Sequence, residues 1–124
     1  MSANVFQPLN NFFPHIFVVS LQRATERKAK LEPLLQGLRF EYFEAFDKRW
    51  LDTAERMAAV YDEAKARQLH RYGKPMGTGP IACSISHLRI YERMLAENIS
   101  HALILEDDAV PQLPALAHWA AMQQ

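Results

Sequence analysis

Two apolar segments without polar interruption lie near opposite ends of the chain. Residues 15–20 are rich in β-branched and aromatic side chains, and residues 102–105 lead directly into Glu106, Asp107 and Asp108. Continuous apolar runs of this length are typical of strands that are buried on both faces, as in a parallel sheet. We therefore predict two central strands, the second of which ends in three carboxylates.

Between these segments the apolar positions follow a helical period. Four leucines recur at intervals of one, three and four residues: Leu31, Leu34, Leu35 and Leu38. They predict a helix after the first strand, and Pro33 is expected to kink or split it. Residues 40–46 are rich in aromatic side chains and predict another strand. Strand, helix and strand in this order form a βαβ unit, which builds a parallel sheet.

The remaining segments alternate between helical patterns and chain breaks. Residues 52–64 and 81–98 have helical apolar spacing, and a Gly/Pro cluster at 75–80 separates them. Residues 1–14 are rich in Asn, Phe and Pro and predict a loose N-terminal arm. Residues 112–124 are predicted to form a short C-terminal tail that could be helical.

Together these elements predict an α/β fold with a small parallel sheet flanked by helices, over residues 15–111. The length of 124 residues allows one domain with a modest core, and 49% hydrophobic and 23% charged residues are close to the globular average. Fourteen basic residues balance fourteen acidic ones, which argues against a nucleic-acid partner.

Cysteine content and the N-terminal sequence suggest the compartment. Cys83 is the single cysteine, so no intrachain disulfide is possible, which fits a reducing environment. The first twenty residues contain no Lys or Arg, and their apolar run is too short for a signal peptide or a membrane span. We therefore predict a cytoplasmic protein without a transmembrane segment.

The acidic end of the second apolar segment is the leading candidate site. Open α/β sheets bind ligands at the carboxyl ends of their strands. If the extended geometry continues, Glu106 and Asp108 point to one side and Asp107 to the other. Two carboxylates on one side can hold a hard divalent cation. An acidic turn after a core strand is the alternative interpretation, and the pattern alone leaves both open.

Two arginines are expected at the same edge of the sheet. Arg23 and Arg27 follow the first strand, and a guanidinium can bind a diphosphate with two parallel hydrogen bonds. A solvated first turn of a helix would use the same residues. A cation and arginines at one edge would together neutralise a nucleotide diphosphate, which makes the combination more informative than either part.

Three further features precede the acidic strand. The loop with Gly77 and Gly79 could bind phosphate at a helix N-terminus, but it lacks a Walker-A lysine, and a plain flexible loop is the alternative. His87 could contact a phosphate or act as an acid or base, the alternative being a half-buried structural histidine. We interpret Cys83 as a small buried residue, not as a reactive thiol.

Three sequence blocks, in their order and spacing, resemble glycosyltransferase family 25, the lipopolysaccharide and lipooligosaccharide galactosyl- and glucosyltransferases. They comprise residues 17–27, residues 44–47 and residues 81–108. The third block contains the Cys-x-x-Ser-His sequence at 83–87 and ends in Glu-Asp-Asp, which is the most specific part of the similarity. The resemblance implies the Rossmann-like, nucleotide-binding half of a GT-A type glycosyltransferase.

The resemblance also implies a reaction. It is the inverting transfer of a hexose, galactose or glucose, from a UDP-sugar to a lipooligosaccharide or lipopolysaccharide acceptor, with a divalent cation such as Mn²⁺. The protein would then act at the cytoplasmic face of the inner membrane. By the same resemblance Asp108 and Glu106 would bind the metal, and the residues contacting the donor would be Arg23 and Arg27 at the diphosphate, Asp47 near the uridine, and Glu106, Asp107 and His87.

The chain departs from the family pattern in two respects. Family members typically have Gly-Glu-Ile-Gly-Cys where this chain has Gly-Pro-Ile-Ala-Cys at residues 79–83, and Pro80 supplies neither a side-chain contact nor an N–H group. Family members are also roughly twice as long, so the acceptor half and the catalytic base are expected to lie outside this chain. The alternative to an active hexosyltransferase is therefore a truncated, non-catalytic α/β domain that binds a nucleotide or a partner.

Overall fold

The computed structural model describes residues 3–70 and 73–123. Within them, three strands form a parallel sheet: β1 (His15–Ser20), β2 (Glu41–Glu44) and β3 (Ala102–Glu106). Strand β1 is central, and its Phe17 is in register with Glu41 of β2 and Ile104 of β3. The predicted α/β fold with a small parallel sheet flanked by helices is confirmed, and its arrangement is consistent with a Rossmann-like fold.

Helices account for most of the remaining structure. The described residues form α1 (Gln7–Phe12), α2 (Thr25–Leu34), a short 3-10 helix (Lys48–Trp50), α3 (Ala54–Val60), α4 (Glu63–Leu69), α5 (Thr78–Ala96) and α6 (Leu113–Met122). None of them is long and apolar enough to cross a membrane.

Three of the helix predictions need correction. The helix predicted over residues 52–64 is two helices, because the Asp62 side chain accepts a hydrogen bond from the Lys65 N–H and starts α4. Helix α2 ends at Leu34, one residue after Pro33 and before the last two leucines of the predicted helix. Helix α5 begins at Thr78, before the predicted start, because Pro80 lies in its first turn, where a missing N–H leaves no helical bond unmade.

One face of the sheet is covered by α1, α2 and α6. Ile16 and Val18 of β1 are buried there against Leu31 and Leu35, and Trp119 of α6 packs against the same cluster. Alternation along β1 sends every second side chain to this face. Three of the four predicted leucines are therefore buried, but of these only Leu31 belongs to α2, because Leu35 and Leu38 follow its end; Leu34 is exposed.

Helix α5 covers the opposite face. Phe17 of β1 and Ile90 of α5 are both 0% exposed, and the guanidinium carbon of Arg93 lies 5.0 Å from the centre of the Phe17 ring. Complete burial of a side chain of this size contributes roughly 1.5–3 kcal/mol. These contacts fix α5 over the sheet, and its N-terminal end therefore lies near the carboxyl ends of the strands.

The predicted loose N-terminal arm is wrong for its described part. Phe6 and Leu9 are buried in the main core, and residues Gln7–Phe12 are helical. The side chains of Asn4 and Asn10 donate hydrogen bonds of 2.8 and 2.9 Å to the carbonyl of Gly37. Two apolar side chains three residues apart can cover the end of a leucine-rich helix, which orders a segment whose composition resembles that of a loop.

Candidate functional site

A cavity of about 410 Å³ lies at the carboxyl ends of the strands. It is bounded by the start of α2, the loop after β2, the first turns of α5 and the end of β3. Its polar and charged lining consists of Ser20, Arg23, Arg27, Lys48, Cys83, Ser86, Glu106, Asp107 and Asp108. The predicted arginines and carboxylates are thus brought together at one edge, as the parallel sheet requires.

The three carboxylates leave the sheet through a turn. Strand β3 ends at Glu106, and the N–H of Ala109 donates to the carbonyl of Glu106 at 3.1 Å. The chain is therefore not extended through Asp108, and the side-chain alternation predicted for residues 106–108 does not apply. Glu106 and Asp108 nevertheless both line the cavity, and the turn takes the place of the strand pleat in bringing Asp108 there.

Asp107 is held on both carboxylate oxygens. Its Oδ2 accepts a hydrogen bond of 2.9 Å from the hydroxyl of Ser20, and its Oδ1 accepts one of 3.1 Å from Arg27 Nη1. The side chain is only 10% exposed. Asp107 therefore fixes the end of β3 against β1 and α2, and it holds the Arg27 guanidinium at the cavity.

Asp108 is in a different situation from its neighbour. It is exposed, and within residues 3–70 and 73–123 its carboxylate has no hydrogen bond or ion pair. Its oxygens are hard donors that face solvent at the cavity edge, which suits a divalent cation such as Mn²⁺. Glu106 offers a second carboxylate to the same cavity. Both predicted metal ligands therefore line the cavity, and both offer carboxylate oxygens.

Arg23 forms an ion pair with Asp47, in which Nη2 donates to Oδ1 at 3.1 Å. The same oxygen accepts a hydrogen bond of 3.0 Å from the N–H of Arg49 and so caps the 3-10 helix. The Arg23 hydrogen bond, followed by that from the Arg49 backbone, holds the pKa of Asp47 well below its usual range. Asp47 itself is not in the cavity lining, although its neighbours Phe46 and Lys48 are.

Two serines for which the sequence predicts no role support the site. Ser86 is 1% exposed; its hydroxyl accepts from the Phe46 N–H at 2.8 Å and donates to the Ala82 carbonyl at 3.0 Å. It therefore ties α5 to the loop after β2. Ser20, the partner of Asp107, ends β1 on the face of Val18. For Ser20 the available signal was a small polar residue at the end of an apolar run, and for Ser86 it was its place in the Cys-x-x-Ser-His sequence.

Three side chains from α5 and from the end of β3 lie close together. One ligand atom each from Cys83, His87 and Glu106 lies within 4.8 Å of the others, and Cys83 Sγ donates to Glu106 Oε1 at 3.3 Å. The interpretation of Cys83 as buried is wrong, because the residue is exposed. Partial desolvation, followed by the carboxylate of Glu106, raises the pKa of the thiol. His87 is half-buried beside the Tyr91 ring and is not in the cavity lining.

A family model described as "Glycosyltransferase family 25 (LPS biosynthesis protein)" matches residues 13–116. The chain belongs to glycosyltransferase family 25. All charged residues of the cavity lie inside the matched segment, so the site described above is part of the family domain.

Relatives from several animals agree with this assignment. A protein named "Glycosyltransferase 25 family member" from Drosophila pseudoobscura pseudoobscura is 40% identical over 101 residues, covering 76% of this chain and 15% of that protein. One of the same name from Anopheles gambiae is 37% identical over 102 residues, covering 76% and 16%.

More distant relatives carry more specific names. "Procollagen galactosyltransferase 2" from Homo sapiens is 24% identical over 98 residues, covering 77% of this chain and 16% of that protein. "Inactive glycosyltransferase 25 family member 3" from Mus musculus is 26% identical over 113 residues, covering 86% and 19%. The chain spans 15–19% of the length of these four relatives.

Proposed function

We propose that this chain binds the nucleotide-sugar donor of a family 25 hexosyltransferase of GT-A type, and that the donor is a UDP-hexose. The observation that carries the proposal is the meeting of two arginines and three carboxylates in one cavity at the carboxyl edge of a parallel sheet. A volume of about 410 Å³ is within the roughly 300–1,000 Å³ of small-molecule sites.

The diphosphate of the donor is assigned to the arginine side of the cavity. Arg27 has five N–H groups, of which Nη1 gives one to Asp107, so the remainder are available to phosphate oxygens. Its side chain is 67% exposed and is anchored by a mostly buried carboxylate. Arg23 is oriented by Asp47 in a comparable way. Guanidinium groups oriented before the ligand arrives lose less entropy when they bind it.

The cation is assigned to Asp108 and Glu106, which would hold it through carboxylate oxygens. When bound, Mn²⁺ would neutralise negative charge on the departing diphosphate. Asp107 is left out of the coordination sphere, because Ser20 and Arg27 already use both of its oxygens.

The reaction we propose is an inverting transfer. The acceptor hydroxyl forms a bond to the anomeric carbon on the face opposite the diphosphate, the bond between that carbon and the β-phosphate oxygen breaks, and the hydroxyl proton passes to a base. Arg23 and Arg27 would stabilise the charge on the UDP that leaves. The name of the human relative supports galactose as the sugar, and it gives procollagen as the acceptor of that protein. The words "LPS biosynthesis protein" in the family description support a lipopolysaccharide acceptor for this chain, which is the acceptor we propose.

Calorimetric titration with UDP, in the presence and absence of Mn²⁺, tests the site. We expect binding that requires Mn²⁺ and is lost in Asp108→Ala. Glu92→Gln, on the exposed part of α5 and outside the cavity lining, is the matched control and should bind like the wild type. Equal binding with and without Mn²⁺, or wild-type binding by Asp108→Ala, would contradict the assignment.

A non-catalytic domain that binds a nucleotide or a partner is the second candidate. Two observations favour it: a relative is named as inactive, and Pro80 removes a backbone donor beside the cavity. A Cβ placed on Gly79 would meet no heavy atom within 4 Å, so packing does not require a glycine at this position of the cavity lining. Sugar transfer by the purified chain to a lipooligosaccharide acceptor, measured with radiolabelled UDP-galactose, would exclude this candidate.

A further inference from the structure

We propose that Cys83, His87 and Glu106 form a second cation site, which takes a borderline-soft ion such as Zn²⁺ through sulfur, nitrogen and oxygen. It is distinct from the hard-cation site assigned to Asp108, although the two share Glu106.

The backbone places the three ligands together. Cys83 and His87 are four residues apart on α5 and therefore lie on one face of the helix. Glu106 ends β3 opposite that face, and one ligand atom of each residue lies within 4.8 Å of the other two. Both parent elements are held in place, since Arg93 of α5 lies over the Phe17 ring of the sheet and β3 pairs with β1.

The observed spacing is close to that of a zinc sphere. Zn–S and Zn–O bonds of about 2.3 and 2.0 Å at a tetrahedral angle place the sulfur and the oxygen roughly 3.5 Å apart. Cys83 Sγ and Glu106 Oε1 are 3.3 Å apart. The imidazole needs only a side-chain adjustment within the 4.8 Å group to complete three ligands.

The ligand types select the ion. A thiolate and an imidazole favour Zn²⁺ over Mn²⁺ or Mg²⁺, which prefer oxygen ligands. An accessible zinc site commonly has three protein ligands and one open position. Here the open position would face the cavity, which Cys83 and Glu106 both line. On binding, the sulfur exchanges its proton for the metal: the S–H bond breaks, the S–Zn bond forms, and the proton is released to solvent.

Because Glu106 is assigned to both cations, Zn²⁺ binding is expected to affect binding of the nucleotide-sugar donor. We expect Glu106 to bind one ion at a time, so Zn²⁺ at Cys83 and His87 would compete with the cation assigned to Asp108 for this ligand. Zn²⁺ would then weaken Mn²⁺-dependent UDP binding. This consequence rests on the proposed function, whereas the existence of the zinc site does not.

Cobalt titration of the metal-free chain tests the site without any nucleotide. Cys83 is the single cysteine, so a thiolate-to-Co²⁺ charge-transfer band can come from this position alone. We expect the band to saturate at one Co²⁺ per chain, to disappear in Cys83→Ser, and to be bleached by Zn²⁺ but not by a hundredfold excess of Mn²⁺. Asp108→Ala should retain the band, so this result is independent of the fate of the UDP site.

Two ligand variants and a control complete the design. His87→Ala and Glu106→Gln should each lower Co²⁺ affinity by roughly 10- to 100-fold or more. Removal of a residue that only hydrogen-bonds to a metal ligand already costs that much, and these two residues are ligands themselves. His118→Ala, an exposed histidine on α6, should leave it unchanged. Circular dichroism checks that each variant is folded. No charge-transfer band, or a band of unchanged affinity in folded His87→Ala and Glu106→Gln, would overturn the proposal.

Discussion

Arg27 Nη1 donates a hydrogen bond of 3.1 Å to Asp107 Oδ1 and thereby joins the first helix after β1 to the end of β3, across 80 positions of the sequence. The two side chains are exposed to very different degrees, 67% for Arg27 and 10% for Asp107. A nearly buried carboxylate thus anchors a solvent-facing guanidinium. Two consecutive acids therefore have different roles: Asp107 forms hydrogen bonds within the protein, whereas Asp108 is open to a ligand.

The first prediction compares these two neighbours. Asp107→Asn should lower the free energy of unfolding by roughly 1.5–3 kcal/mol, because Ser20 and Arg27 lose a charged acceptor in a nearly buried position. Asp108→Asn should change it by less than about 0.5 kcal/mol, as is usual at an exposed position. Urea denaturation followed by circular dichroism measures both.

The comparison also separates stability from binding. Asp108→Asn should lose Mn²⁺-dependent UDP binding while keeping wild-type stability. If the two variants were equally stable, the structural role of Asp107 would be refuted.

The convergence of these residues could be predicted from sequence because it depends on topology. Parallel strands end at one edge, so residues that follow β1 and β3 must meet there, and Arg27 and Asp107 do. Their mutual pairing could not be predicted. It depends on the turn at Asp107 and Asp108, which no apolar pattern encodes, and on the placement of α2 relative to β3, which is a tertiary property.

The second prediction concerns the diphosphate. Arg27→Ala should weaken UDP binding roughly 10- to 150-fold, which corresponds to the loss of about 1.5–3 kcal/mol from hydrogen bonds to a charged group. Binding of uridine, which has no phosphate, should be unaffected. Isothermal titration with both ligands measures the difference.

Arg67→Ala on α4 is the control for a lost surface cation, because Arg67 pairs with Glu63 away from the cavity lining. An equal loss of uridine and UDP affinity in Arg27→Ala would show that Arg27 acts through the general structure of the site and not on the phosphates.

The third prediction uses the raised pKa of Cys83. Because thiolate is the reactive form, alkylation by iodoacetamide should rise with pH through a midpoint above the ordinary thiol pKa. In Glu106→Gln the midpoint should fall, since the neutral amide no longer disfavours the thiolate, while partial desolvation still holds it above the ordinary value. A chelator in the buffer keeps metal ions off the sulfur.

Glu92→Gln is the matched control, because it removes a carboxylate from the helix that carries Cys83. It should keep the wild-type midpoint of alkylation. An unchanged or higher midpoint in Glu106→Gln would show that the carboxylate has no influence on the thiol.

The N-terminal segment departs most from the fold predicted by the sequence, for a physical reason. Asn and Pro favour turns and loops, and a helix of six residues has little intrinsic stability. What orders this segment is burial of Phe6 and Leu9 and the hydrogen bonds of Asn4 and Asn10 to Gly37. Gly37 has a φ of 97°, and that turn brings its carbonyl to the asparagines. Such long-range partners are not visible in a local pattern.

The fourth prediction concerns Ser86, which fixes the loop after β2 at the cavity. In Ser86→Ala the N–H of Phe46 loses its acceptor in a part-buried position, and the unfolding free energy should fall by roughly 1–3 kcal/mol. Ser84 lies two residues earlier on the same helix but is exposed, so Ser84→Ala should change stability by less than about 0.5 kcal/mol. Because the same loop carries Asp47, the partner of Arg23, Ser86→Ala should also weaken UDP binding several-fold. Wild-type stability of Ser86→Ala would show that the Ser86 hydroxyl is not needed to hold the loop, and would contradict the prediction.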